Sequence, residues 1–157
     1  MKLSDYIIPI GSPCEGCGIF VDNYFITAGH VLELNEDTAI YFRNEKFLLS
    51  KTNCVSITSM NDSSWNILGS DIAIFKCESI NSPIELNKEE LHLNDILHSI
   101  SYKVSVIKND NDDIPFSWST SIDYTELVEC EGTVLDIKGN FIACEMSYPL
   151  RKGSSGS

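Results

Sequence analysis

The length of the apolar runs is what most constrains how this chain can fold. Through the first half, β-branched and aromatic residues gather into short runs at 17–21, 24–27, 38–42, 46–49, 55–59 and 72–77. Turn formers fill several of the gaps, among them Asp22-Asn23, Arg43-Asn44-Glu45 and Asn61-Asp62-Ser63-Ser64. No segment sustains the 3.6-residue period of an amphipathic helix. Runs this short suit strands, so the chain is predicted to be all-β, with antiparallel strands in a barrel or sandwich rather than an alternating α/β fold.

The rhythm breaks at 81–95, where Ser82-Pro83 and Asn87-Lys88-Glu89-Glu90 interrupt it, and this stretch reads as a connector. Strands resume at 97–107, 132–137 and 140–146, the last two flanking Lys138-Gly139 as a hairpin. The predicted organisation is an N-terminal segment at 1–14, a first β subdomain at 15–80, the connector at 81–95 and a partial second β subdomain at 96–157. The acidic run at 109–113 resembles half a calcium loop. It lacks the central glycine and has Ser121 where the closing glutamate belongs, so it reads as a solvated loop.

Composition narrows the class of function. Among 157 residues, 11 basic side chains face 23 acidic ones, a formal charge of −12, which argues against a nucleic-acid or anionic-membrane partner held by charge. With 43% apolar and 22% charged residues the chain can bury a real core. No apolar run approaches the ~20 residues of a spanning helix. The stretch at 7–10 is short and interrupted by Pro9, so neither a signal peptide nor a membrane anchor is read and a cytoplasmic location is expected. The cysteines at 14, 17, 54, 77, 130 and 144 are then expected as reduced thiols. Cys14-Glu15-Gly16-Cys17 has the spacing of a zinc knuckle or a redox pair, but a metal site needs two more ligands and no second C-x-x-C or H-x3-H follows, so neither metal nor cofactor is expected.

Three segments carry chemistry, in the order His, Asp, Ser. Thr27-Ala28-Gly29-His30 ends a strand and presents a histidine. Asp71-Ile72-Ala73-Ile74 sets an aspartate at the mouth of an apolar strand. Gly153-Ser154-Ser155-Gly156-Ser157 is a glycine-serine turn. Each alone has an ordinary reading as a loop histidine, a turn aspartate or a flexible tail. Together they supply what acyl transfer by a serine requires: a neutral imidazole base, a carboxylate to fix its tautomer, and backbone donors beside the nucleophile. His92 and His98 lack an aspartate box at comparable spacing and are expected in surface or packing roles, as are Trp65 and Trp118.

These three segments resemble the T-A-A-H or T-A-G-H, D-I-A-L and G-D-S-G-G boxes of trypsin-like (chymotrypsin-fold) serine peptidases. The resemblance covers residues 17–157 and implies two six-stranded-type antiparallel β-barrels with the catalytic cleft between them. It further implies a protein or peptide substrate, Ser155 as nucleophile, His30 as general base and then acid, and Asp71 as the orienting carboxylate. The oxyanion hole would be formed by the backbone N–H groups of Gly153 and Ser155. Val31 stands where digestive relatives have a cysteine, which is similar to bacterial intracellular and HtrA-like members. Ser154 replaces the aspartate that zymogen-derived members use to bind a newly cut N-terminus.

In the family about three further strands follow the nucleophile. Their absence after Ser157 implies an incomplete second barrel, hence a fragment of a longer protein, a partner that supplies the missing strands, or a terminal run that is not the true nucleophile motif. Without them the segment 153–157 is expected to be mobile or displaced, with little or no turnover. The alternative function is a trypsin-like binding module, or a fragment without catalysis.

Overall fold

A computed structural model of the chain describes residues 2–11, 14–32, 36–58, 71–109, 120–139, 141–147 and 154–157. Its strands are β1 (Ile7–Ile10), β2 (Gly16–Val21), β3 (Tyr24–Thr27), β4 (Thr38–Phe42), β5 (Glu45–Leu49), β6 (Cys54–Thr58), β7 (Ile72–Lys76), β8 (Ile96–Asn109), β9 (Thr120–Lys138) and β10 (Phe141–Met146). The fold is all-β and every strand pairing is antiparallel. Among the described residues the helical elements are two 3-10 turns, Leu3–Tyr6 and Gly29–Val31, and no helix is long and apolar enough to cross a membrane.

The strands form a five-stranded sheet in the order β1-β2-β3-β7-β6, a two-stranded ribbon of β4 and β5, and a three-stranded sheet in the order β10-β9-β8. Local sequence explains the tight hairpins. Val21 pairs with Tyr24 across Asp22-Asn23, and Phe42 pairs with Glu45 across Arg43-Asn44. Arg43 and Asn44 have φ of 50° and 66°. Positive φ at both central residues gives the turn whose twist matches that of a hairpin.

The core lies between the five-stranded sheet and the ribbon. The Phe20 ring is 5.0 Å from those of both Phe25 and Phe42 and 6.0 Å from that of Phe47. Tyr6, Ile8, Ile10, Ile40, Leu49 and Phe75 close around this cluster. Each large side chain buried this way contributes about 1.5–3 kcal/mol. Alternation along the ribbon orients it: Ile40 and Phe42 point inward while Tyr41 between them is exposed.

Among the described residues no ladder joins β5 to β6 or β4 to β1, so sheet and ribbon enclose the core without closing a barrel. The turn at 50–53 uses side-chain bonds instead. Asn53 Nδ2 donates to Leu48 O at 2.9 Å, and the Ser50 N–H donates to Asn53 Oδ1 at 2.9 Å. The pairing of β6 with β7 also shifts register between Cys54 and Ser56.

Two elements differ from the sequence expectation. No strand was predicted in the N-terminal segment 1–14, yet Ile7–Ile10 pairs with β2 and buries Ile7, Ile8 and Ile10. Pro9 is tolerated because β1 is an edge strand, where a missing N–H breaks no second ladder. The strand predicted at 132–137 begins at Thr120 and pairs with β8 from Thr120 to Thr133. Between 81 and 95 no strand forms, and Ser82 makes only an isolated bridge to Asp22.

Candidate active site

Strand register brings His30 and Asp71 together. β3 and β7 are antiparallel neighbours with Thr27 opposite Ala73, so the residues just after β3 face those just before β7. The 3-10 turn Gly29–Val31 then bends the chain so that both His30 donors reach one carboxylate. The His30 backbone N–H donates to Asp71 Oδ1 at 2.8 Å, and His30 Nδ1 is hydrogen-bonded to Asp71 Oδ2. A carboxylate can only accept, so Nδ1 carries the proton and Nε2 presents its lone pair outward. The Asp71 side chain is 14% exposed and that of His30 38%, which leaves the imidazole open on one side.

Ser155 completes the row. Its Oγ is 2.9 Å from His30 Nε2, although the two residues are 125 apart in sequence. The start of β2 holds the serine there. The Cys17 N–H donates to the Ser155 carbonyl at 2.8 Å, and the Cys17 carbonyl accepts from Thr27 Oγ1 at 2.7 Å. Gly156 has φ of 82°, and a Cβ on it would lie 2.0 Å from the Cys17 oxygen, so only glycine fits at that point. The Ser157 N–H donates back to the Ser154 carbonyl at 3.1 Å and closes the turn.

The serine is thus in line with His30 and not displaced, which corrects that alternative of the expectation. The turn is anchored laterally, by the N-terminal end of β2 and the C-terminal end of β3. Sequence reasoning missed the part played by Cys17, because a backbone N–H leaves no mark in a sequence. The Thr27 hydroxyl lies within the quoted T-A-G-H box, but nothing in that box shows that it holds β2. Of the two predicted oxyanion donors, Ser155 belongs to the described turn and Gly153 lies outside the described residues.

The remaining candidates are placed elsewhere. His92 and His98 are exposed, and each has a carboxylate of its own: His92 Nδ1 is 3.8 Å from Asp95 Oδ2, and His98 Nδ1 is 3.7 Å from Glu131 Oε1. None of the six cysteines is joined in a disulfide. Cys14 and Cys17 are fully buried, and burial pushes both thiols above their ordinary pKa. Among the described residues no group of three or more His, Cys, Asp or Glu side chains is placed to hold a metal ion. Trp65, Trp118, the 61–63 segment and residues 110–113 of the acidic run lie outside the described residues. No protein-family model matches the chain, and neither the curated proteins nor the solved structures contain a significant match to it.

Proposed function

We propose that this chain is a serine endopeptidase of the trypsin-like kind, cleaving peptide bonds through an acyl-enzyme. The observation that carries the reading is the continuous row Asp71–His30–Ser155, joined at hydrogen-bond distance by residues remote in sequence. In this reading Ser155 Oγ attacks the scissile carbonyl as its proton passes to His30 Nε2. The imidazolium then protonates the leaving amine, and a water activated by the same nitrogen releases the acyl group. Asp71 holds the imidazole in the required tautomer and stabilises its charged form. The N–H groups of Ser155 and Gly153 serve as the oxyanion donors.

The all-β, antiparallel fold supports the same reading, in which the five-stranded sheet with its ribbon is the first subdomain and β8–β10 belong to the second. The substrate is a protein or peptide. Six cysteines without a disulfide suit a reducing compartment such as the cytoplasm.

Reaction with a fluorophosphonate tests the proposal, with the adduct located by peptide mass spectrometry. Labelling at Ser155 is expected, with none in Ser155→Ala or His30→Ala. Asp71→Asn should slow it by roughly 10³- to 10⁴-fold while the far-UV circular dichroism stays unchanged. A folded wild-type chain that remains unlabelled would move the reading to a binding module.

A further inference from the structure

The turn that carries Ser155 is tied to the second sheet as well as the first. Ser101, on β8, is 3% exposed, and its Oγ donates to Ser154 Oγ at 3.3 Å. On the other side, the Cys17 N–H of β2 holds the Ser155 carbonyl. The turn is therefore tethered twice, at Ser154 from β8 and at Ser155 from β2.

From these two tethers we infer that Ser101 is a positioning residue for the nucleophile, acting through Ser154; the inference rests on the serine-hydrolase reading above. Its chemistry is simple. The peptide between Ser154 and Ser155 contributes the Ser155 N–H and sets the direction of the Ser155 Oγ. The Cys17 bond fixes the carbonyl end of residue 155 only, and rotation about that bond would still swing Oγ off His30 Nε2. A second tether one residue earlier removes this freedom. A buried hydroxyl retains its place in a strand only when it is hydrogen-bonded, and the partner that Ser101 finds is the side chain beside the nucleophile.

The test is a double-mutant cycle read in fluorophosphonate kinetics on the full chain, separating the inactivation rate constant from the inhibitor's binding constant. Ser101→Ala and Ser154→Ala should each lower the inactivation rate constant roughly 10-fold, between the loss of one hydrogen bond and the ~100-fold of ångström-scale misplacement. The binding constant should hold. Ser101→Ala/Ser154→Ala should be no slower than either single variant, because both remove the same link. Ser101→Thr, which keeps the hydroxyl, should recover most of the rate. A purely structural role would lower the unfolding midpoint and leave the rate constant of the folded protein alone. Wild-type rates in Ser101→Ala, or losses that multiply in the double variant, would overturn the positioning role and leave the hydrolase reading standing. A folded wild type that does not label at Ser155 would overturn both.

Discussion

Gly29 shows what a short motif hides at the scale of one residue. The box Thr27-Ala28-Gly29-His30 was legible in the sequence, and it resembles boxes in which the third residue is either alanine or glycine. Here only glycine fits, since a Cβ on Gly29 would lie 1.8 Å from the Thr58 carbonyl oxygen and 3.1 Å from Asp71 Oδ1. Backbone cannot move aside as the tip of a side chain can. Gly29→Ala should therefore cost about 1–3 kcal/mol in urea unfolding, the range for overpacking a tight site, and should slow Ser155 labelling because the same turn aims His30. An unchanged midpoint would show that β6 yields readily. The three triad residues could be picked out in advance because their types carry the chemistry. The contacts that hold the Ser155 turn, from Cys17 and Ser101, could not, since each comes from an amide or a plain hydroxyl far away in sequence.

Among the elements, strands with few charges were legible to within a residue or so, as at 24–27 and 38–42, where β-branched and aromatic residues alternate between inside and outside. β1 and the first half of β9 were not. Pro9 hid β1, because proline argues against a strand unless that strand lies at an edge, and edge position belongs to the sheet and not to the segment. Four acidic residues, Asp123, Glu126, Glu129 and Glu131, hid the start of β9. Such residues are depleted in strands, yet pairing with β8 overrides the propensity there. β1 offers a direct check of its structural weight. Ile10 is 2% exposed within the core, so Ile10→Ala should lower stability by about 2–5 kcal/mol, measured by denaturant unfolding. A loss of a few tenths would mean that 1–14 is an appended segment after all.

For the whole molecule, buried thiols and a large negative charge both bear on how stability changes with pH. Cys14 and Cys17 are fully buried and Cys77 nearly so, and burial raises the pKa of all three, as it does for Tyr102. In the unfolded chain these thiols lose their protons from about pH 8.5 upward, while in the folded state they keep them. The folded state thus binds more protons than the unfolded one at alkaline pH, and stability falls as pH rises through that window. Below it the contribution is fully present. The formal charge of −12 pushes the same way, because each further ionisation adds to self-repulsion, so the direction alone does not identify the cause. Substitution separates the two. Replacing the three cysteines together, Cys14→Ala/Cys17→Ala/Cys77→Ala, should lower stability at neutral pH through lost packing, yet flatten its decline between about pH 8 and pH 10. Denaturation midpoints measured across that range would read the slope directly. An equally steep decline in the substituted chain would assign the alkaline loss to repulsion across the acidic surface and remove the thiols from the account.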